Sequence, residues 1–268
     1  MRYIRGFKFS DQLIKGPNIY PYNTMKTFAS EIIVFDQITF LYGENGSGKS
    51  TLLNLLANHL NLPGAEIVKP YGSVANDYFQ QYINESSVLM AEDDNGRLRT
   101  LPDNSRYIKS DDILYEVKKI QQEAIQKEGY LYERRQLGMT KEQIEEHKKS
   151  YQMKKQIDNR QFSQEKYSNG ETALQVFEDY LQPQGVYLLD EPEASLSSEK
   201  QLELIDMIIH GSRFLEAQFI IASHSPLLLG GLEGTIYNLS KESLVMDQWK
   251  NLPIVQLYWD FFQKRMTP

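Results

Sequence analysis

A glycine-rich run between an apolar segment and a leucine-rich segment decides the fold of this chain. The run reads Gly43-Glu44-Asn45-Gly46-Ser47-Gly48-Lys49-Ser50 and fits the pattern G-x-x-x-x-G-K-[ST] without departure. The residues before it, Gln37–Tyr42, predict a buried strand. The residues from Lys49 to Leu60 carry five leucines at helical spacing and predict a helix. The sequence therefore predicts a strand, a phosphate-binding loop and a helix in succession.

The residue types in this loop suit it to phosphate. Glycines let the chain turn back so that backbone N–H groups converge on phosphate oxygens. The helix that follows directs its positive end at the same anion. We expect Lys49 to reach the β- and γ-phosphates, Ser50 to ligate magnesium and Thr51 to bond the α-phosphate. This chemistry predicts a site for ATP with Mg²⁺.

Two carboxylates follow a second short apolar segment, Gly185–Leu189. An acid at the carboxyl end of a parallel strand lies beside the phosphate loop. We therefore expect Asp190 to hold magnesium, directly or through water, and Glu191 to polarise the attacking water as general base. The alternative is a polar strand end with a turn at Pro192.

A histidine follows a third buried-type segment, Gln218–Ala222. At the carboxyl end of a parallel strand, His224 can reach the γ-phosphate. A nucleophilic pair of Ser223 and His224 is the alternative, which we reject because adjacent residues on an extended strand point to opposite faces. The other histidines have no metal-ligand spacing, which predicts structural or surface roles for His59, His147 and His210.

The remaining segments complete an α/β pattern. Strands without alternation, each separated by a helix, predict a mostly parallel sheet flanked by helices, the fold of a P-loop NTPase. We expect residues 71–107 to form strands and loops, with a turn at residues 93–96. The other predicted elements are the strands Tyr3–Phe9, Glu31–Phe35, Thr235–Leu239 and Ser243–Asp247 and the helix Ser198–His210.

The middle of the chain differs in charge from the remainder. Residues 113–166 contain 12 Lys+Arg and 9 Asp+Glu, a balance of +3 in a chain whose net charge is −7. They predict two charged helices, Asp112–Glu128 and Lys141–Ile157, with a break near Gly138. Such a segment is either a solvated helical insertion or a contact surface for a partner or nucleic acid.

Composition excludes several classes of protein. The 268 residues include no cysteine, which rules out disulfides and cysteine-based metal sites. No apolar run approaches the ~18 residues of a membrane helix, and the N-terminus does not resemble a signal peptide. We therefore expect a cytoplasmic protein without direct membrane insertion. The net charge of −7 opposes wholesale wrapping of nucleic acid, although a local basic patch is compatible with it.

Taken together, these motifs resemble the ATP-binding-cassette (ABC) ATPase superfamily. The run Tyr167–Glu171 resembles the family signature Leu-Ser-Gly-Gly-Gln, with Asn and Glu in place of Gly and Gln, and a predicted helix Thr172–Leu181 follows it. The run Leu189–Ser197 resembles the Walker B motif with its dimer-contact loop, with Glu193-Ala194 where transporter cassettes have Thr-Ser. This form is more similar to the soluble AAA-type predicted ATPases related to RecF and to structural-maintenance-of-chromosomes heads.

The resemblance implies a homodimer in which two chains enclose two ATP molecules. In that arrangement Ser168 and Gly170 of one chain would contact the γ-phosphate held by the other, and His224 would sense it. The resemblance covers about residues 1–60 and 160–240. It implies one ABC-type domain over residues 1–268, with an inserted variable, helical lobe at residues 72–166.

For two elements of that family, the sequence offers more than one candidate residue. The glutamine that links the site to the helical lobe has early candidates in Gln80 and Gln81, whereas the better-placed strand end Tyr107–Asp111 offers Ser and Asp. The aromatic residue that stacks on adenine has candidates in Tyr20 and Tyr22. The alternative for both tyrosines is a loop that packs on the core.

Three functions are compatible with these residues. The first is a soluble ATPase that works as an ATP-gated homodimer on nucleic acid or a protein partner. The second is the nucleotide-binding subunit of an ABC membrane transporter, against which the altered signature, the missing glutamine and the charged helices count. The third is a slow ATP sensor, against which the presumed base Glu191 counts.

Overall fold

The computed structural model describes residues 1–14, 16, 18–69, 76–136 and 169–266. Within these ranges the strands are β1 (Ile4–Lys8), β2 (Ile32–Val34), β3 (Ile38–Tyr42), β4 (Ser87–Met90), β5 (Arg106–Lys109), β6 (Val186–Asp190), β7 (Gln218–Ala222), β8 (Thr235–Asn238) and β9 (Val245–Asp247). The helices are α1 (Tyr22–Met25), α2 (Lys49–His59), α3 (Tyr78–Glu85), α4 (Ser110–Gln136), α5 (Asn169–Tyr180), α6 (Ser198–Phe214), α7 (Pro226–Gly231) and α8 (Pro253–Met266). Short 3₁₀ turns lie at Lys26–Phe28 and Trp249–Asn251.

The larger sheet confirms the predicted α/β fold with a mostly parallel sheet. Its strand order is β5-β6-β7-β3-β8-β9, and every neighbouring pair is parallel except β8 with β9. All five residues of β3, of β6 and of β7 are buried. Strands that are apolar on both faces require a cover on both faces, which explains why they do not alternate in sequence.

The two faces of this sheet are covered by different elements. Phe40, Leu189 and Ile221 belong to one apolar cluster that also includes residues of α4 to α7. Leu41 and Ile220 belong to the other, which includes the leucines of α2 and the smaller sheet. The sheet thus has helices on one side and α2 with the smaller sheet on the other.

The smaller sheet is antiparallel and has the order β2-β1-β4. The predicted strands Tyr3–Phe9 and Glu31–Phe35 therefore pair with each other rather than with the parallel sheet. The buried side chain of Gln218 joins the two sheets, because its Oε1 accepts from the N–H groups of Tyr3 and Ile4 at 2.8 Å each.

Four helices were not expected from the sequence, namely α1, α3, α7 and α8. Residues 71–107 were predicted as strands and loops, but they contain α3, whose N-terminus is capped by Asp77 accepting from the N–H of Gln80. The helix has eight residues and buries Phe79 and Tyr82, so its pattern covers only about two helical turns. The predicted turn at residues 93–96 is present, since the N–H of Gly96 donates to the carbonyl of Asp93 at 3.0 Å.

The segment predicted as an inserted lobe, residues 72–166, includes two strands of the sheets. Strand β4 pairs with β1 and β5 pairs with β6, so both belong to the sheets. Helix α4 follows β5 directly and is longer than the predicted helix Asp112–Glu128. An inserted lobe at residues 72–166 stays a prediction. The predicted break at Gly138 and the predicted helix Lys141–Ile157 lie outside the described residues.

The other two predicted helices are present with shifted ends. Helix α5 starts at Asn169, ahead of the expected Thr172, and α6 continues past His210 to Phe214. In the part of the chain that the structure describes, no helix has the length and apolar character needed to cross a membrane.

Candidate nucleotide site

The phosphate loop joins β3 to α2 at the carboxyl edge of the parallel sheet. Two of its glycines adopt the left-handed region, Gly46 with φ +83° and Gly48 with φ +98°. A Cβ on Gly48 would also lie 2.4 Å from the Cε of Met25 and 3.0 Å from the Cγ2 of Thr24. Glycine is thus required at Gly48 by its backbone conformation, and a larger residue would also displace the end of the Met25 side chain. The resulting turn places Lys49 at the first position of α2.

Lys49 is buried and its ammonium group has three close partners. Its Nζ donates to the carbonyl oxygens of Gly43 at 2.9 Å and Glu44 at 3.3 Å, and lies 2.7 Å from Nε2 of His224. Burial lowers the pKa of Lys49, whereas the nearby carboxylates, Glu191 first, raise it. A cation held over the loop in this way is placed to meet phosphate oxygens.

Asp190 ends β6 and accepts hydrogen bonds on both carboxylate oxygens. Ser50 Oγ donates to Oδ1 at 3.1 Å, and the hydroxyl of Tyr107 donates to Oδ2 at 3.0 Å. Burial raises the pKa of Asp190, and the bonds from Ser50 and Tyr107 oppose that rise. The role of Tyr107 was not expected from the sequence. The signal was a tyrosine in the buried middle of a short strand, where its hydroxyl needs a partner.

The oxygen atoms of Ser50 and Asp190 fit a magnesium ion. Mg²⁺ prefers oxygen ligands and is usually bound through one or two protein groups together with substrate phosphates and water. Among the described residues, no group of three His, Cys, Asp or Glu side chains is arranged to hold a metal without such help. The pair is therefore suited to a cation that arrives with a nucleotide.

Glu191 and His224 meet beside Lys49. Oε1 of Glu191 lies 3.5 Å from Nε2 of His224, and the side chain of Glu191 is 41% exposed, so water has access to its carboxylate. The backbone of Glu191 is left-handed, with φ +48°. Ser30, Asn61, Gln184 and Glu216 also have positive φ, so this conformation alone does not mark the site. Burial and then the charge of Lys49 lower the pKa of His224, which keeps the imidazole neutral at pH 7.

The structure thus brings five of the predicted site residues together from separate elements. These are Lys49, Ser50, Asp190, Glu191 and His224. Asn45, Gly46 and Ser47 line a neighbouring cavity of about 380 Å³, and the N–H of Glu44 donates to Ser240 Oγ. Thr51 lies in the first turn of α2 and Gly170 in the first turn of α5. Ser168 lies outside the described residues.

The serine beside His224 has a different partner. Ser223 is fully buried, and its Oγ donates to Glu193 at 2.8 Å. This bond agrees with our rejection of a Ser–His nucleophile. His59 contacts Phe7 and Ser86, and His210 packs on Phe214, as expected for structural residues. His147 lies outside the described residues.

The two tyrosines proposed for adenine differ in their surroundings. Tyr22 is buried and its hydroxyl donates to Glu85 at 2.6 Å, so it packs on the core. Tyr20 is 36% exposed and its ring stacks on Phe79 with centroids 5.9 Å apart. Only Tyr20 therefore keeps ring surface available to a base.

The position of the linking glutamine is occupied by other residues. The exposed side chains of Gln80 and Gln81 donate to Asn84 and Glu85 within the same helix. Strand β5 ends at Lys109, which forms an ion pair with Glu66 at 2.8 Å, and the chain enters α4 at Ser110 without a loop. The described residues therefore offer no glutamine at the end of β5.

A comparison with protein families identifies this arrangement. Residues 32–194, more than half of the chain, match the sequence profile of the family described as ABC transporter. The chain belongs to this family. It is an ABC-type ATPase, an enzyme that hydrolyses ATP. Among curated proteins, none matches this ABC ATPase significantly by sequence.

Solved structures of similar fold include three ABC-type proteins. One is the dimeric ATP-binding cassette MJ0796 in a post-hydrolysis state with ADP and Pi, at 12% identity and TM-score 0.44, covering 92% of this ABC ATPase and 99% of that chain. Another is cbiO1 from Clostridium perfringens, part of the transporter complex cbiONQ, at 14% identity and TM-score 0.48, with 99% and 96% covered. A third is the Smc head of Pyrococcus furiosus bound to the C-terminal domain of ScpA, at 14% identity and TM-score 0.45, with 100% of both chains covered.

Proposed function

We propose that this protein is an ATP-gated homodimer that couples ATP hydrolysis to work on nucleic acid or on a protein partner. The observation that carries the proposal is the convergence of Lys49, Asp190, Glu191 and His224 at one edge of the sheet. A cation for phosphate, an acid for magnesium, a base and a switch residue are the parts that phosphoryl transfer to water requires.

Each residue then has a distinct task. The N–H groups of the loop and the ammonium group of Lys49 bind the ATP phosphates. Ser50 and Asp190 would hold Mg²⁺, which when bound neutralises charge on the β- and γ-phosphates. Glu191 takes the proton of the attacking water, because its carboxylate is accessible to solvent. The neutral imidazole of His224, next to Lys49, contacts the γ-phosphate.

The proposal of a homodimer is supported by the motifs that one chain contains. It holds one phosphate loop and one signature, so two chains would form two composite sites. Gly170 lies at the N-terminus of α5, where the helix dipole and free N–H groups favour an anion. We propose that Gly170 and the neighbouring Ser168 act there on the γ-phosphate bound by the partner chain.

The segment that begins at Ser110 provides the argument about which class of partner the ATPase acts on. Ser110 and Asp111 lie where transporter cassettes of this family have the linking glutamine. Residues 113–166 carry a net charge of +3, whereas the whole chain carries −7. These features favour a cytoplasmic protein with a nucleic-acid or protein partner. The second candidate is a transporter subunit, which is favoured by the family profile that the chain matches.

The test replaces the proposed base by its amide. Glu191→Gln keeps the shape of the side chain and loses the proton acceptor, so we expect ATP binding to persist and turnover to fall by roughly 10²-fold or more. With ATP and Mg²⁺ the variant should elute as a dimer in size-exclusion chromatography. Glu199→Gln, an exposed glutamate at the start of α6, is the matched control and should behave as the wild type.

Turnover of the wild type is then measured with duplex DNA, single-stranded DNA, RNA, and liposomes at low salt, where electrostatic binding is strongest. An increase in ATP turnover with a nucleic acid supports a nucleic-acid partner. If none of these additions increases turnover, the result favours a protein partner. A Glu191→Gln protein that stays monomeric with saturating ATP and Mg²⁺ would contradict the homodimer.

A further inference from the structure

Glu193 lies two residues beyond Glu191 in the loop between β6 and α6, and its side chain points to the turn after β7. Its Oε1 accepts three hydrogen bonds, from Ser223 Oγ at 2.8 Å, from the N–H of His224 at 2.7 Å and from the N–H of Ser225 at 3.0 Å. One carboxylate oxygen thus holds three consecutive residues, of which the middle one is His224.

A second side chain connects the same two segments. Gln201 of α6 accepts from Ser225 Oγ at 2.6 Å and donates from Nε2 to the carbonyl of Leu196 at 3.1 Å. Ser225 Oγ also caps α7 by accepting from the N–H groups of Leu227 and Leu228. The turn at residues 223–225 is therefore joined to the loop at residues 193–196 from two directions.

The position of the Glu193 carboxylate costs free energy. Oε2 is buried, and none of the residues that the structure describes gives it a hydrogen bond. Burial raises the pKa of Glu193, although the donors of the turn act in the opposite direction. A buried acid with one unpaired oxygen costs free energy that an apolar residue would not. The hydrogen bonds from the turn therefore hold this carboxylate in place.

We propose that Glu193 is a positioning residue that clamps the turn at residues 223–225 and thereby sets the imidazole of His224 against Lys49 and Glu191. The clamp acts on the backbone of His224, since its N–H is bound while its Nε2 lies 2.7 Å from Lys49 Nζ. This inference rests on the proposed function, because it assigns a purpose to the position of His224.

The clamp has a consequence for the proposed dimer. Glu193 belongs to the loop that the family places against the partner chain, and the adjacent Ala194 is exposed. A displacement of this loop by a partner would pull on the turn that carries His224. Closure of the dimer and the position of the switch histidine are then coupled through one carboxylate.

The experiment compares Glu193→Ala with Glu193→Gln. The amide keeps an acceptor oxygen for the turn, whereas alanine removes every bond of the clamp. We expect Glu193→Ala to lower kcat for ATP by about 10-fold or more with KM changed less than about 3-fold, since all three hydrogen bonds to the turn are lost. Glu193→Gln should recover most of kcat. The matched control is Glu199→Ala on the exposed start of α6, which should leave kcat unchanged.

Two further readouts separate positioning from a merely structural role. The imidazole resonances of His224, followed by NMR without nucleotide, should shift and titrate differently in Glu193→Ala but stay close to wild type in Glu193→Gln. In a His224→Ala background, the Ala change at Glu193 should cost no further kcat, because both act through one group. Additive losses of kcat, or an unchanged His224 signal in a folded Glu193→Ala protein, would overturn the clamp.

Failure of the clamp differs from failure of the proposed function. If Glu191→Gln forms the ATP-bound dimer and Glu193→Ala hydrolyses ATP as the wild type does, only the clamp is refuted. If the wild type shows no turnover, the NMR signal of His224 still decides the clamp, because it needs no nucleotide.

Discussion

The two ends of the parallel strands carry polar clefts of opposite character. At the carboxyl ends, Lys49 and Asp190 are buried and each has two or more hydrogen-bond partners. At the amino ends lies a larger cleft of about 800 Å³, whose charged lining includes Arg2, Asp36, Arg213, Glu216 and Glu233. The cavity beside the phosphate loop is only about 380 Å³. The larger of these two cavities therefore lies opposite the phosphate loop.

The two clefts differ in how deeply their charged side chains are buried. In the cleft at the amino ends, Arg2 and Asp36 are 3.3 Å apart with about half of each side chain exposed, and the pair of Arg213 and Glu233 is more exposed still. Pairs of this kind contribute about 0–1 kcal/mol. At the carboxyl ends, burial shifts the pKa values of Lys49 and other groups. Desolvated polar groups, rather than space, mark the functional end.

The largest expected effect is that of Lys49→Ala. The change removes the cation that faces the phosphates, and charge-assisted hydrogen bonds are each worth about 1.5–3 kcal/mol. Two such bonds predict a loss of roughly 10²- to 10⁴-fold in ATP affinity or turnover. Calorimetric titration with ATP and a phosphate-release assay measure it, with Lys250→Ala at an exposed lysine as the control. Normal binding and hydrolysis by Lys49→Ala would place the nucleotide elsewhere, including at the opposite end.

An intermediate effect is expected from Tyr107→Phe, and it depends on pH. Asp190 must be ionised to hold a cation, so activity falls as pH falls through its pKa. Removal of the Tyr107 hydroxyl takes away a donor that lowers this pKa, which burial already raises. The acid limb of kcat/KM should therefore move to higher pH.

The matched control for this change is Tyr237→Phe. Its hydroxyl donates to the carbonyl of Val34, away from the phosphate loop, so its removal should leave the acid limb in place. Equal shifts in both variants would show that the pH dependence reports stability rather than Asp190. Unfolding in urea at each pH distinguishes the two.

The smallest effect is expected from Arg213→Ala at the amino ends of the strands. The arginine side chain is 60% exposed and pairs with a glutamate that is 95% exposed. Its loss should change the free energy of unfolding by less than about 1 kcal/mol and leave ATP turnover unchanged. A fall in ATP turnover of more than about 3-fold would show that the larger cleft contributes to the reaction. It would contradict the proposed difference between the two ends of the strands.

Much of the site was predictable because its signals are local. The phosphate loop, the acids after β6 and the histidine after β7 each follow a short apolar strand, and parallel strands bring their carboxyl ends together. Tyr107 was not predicted, because its bond to Asp190 joins residues 83 positions apart on neighbouring strands. Helix α3 escaped notice because its two buried aromatic residues form too short a pattern.

The sequence by itself determined the fold class, the phosphate loop and the family, because glycine spacing and strand apolarity are local requirements of backbone geometry. It also indicated Asp190, Glu191 and His224 as strand-end residues. Only the tertiary structure decided that β5 belongs to the main sheet, that Tyr22 packs on the core and that Glu193 grips the turn of His224. These facts depend on which segments become neighbours when the two apolar clusters close over the sheet, and chain order alone does not contain that information.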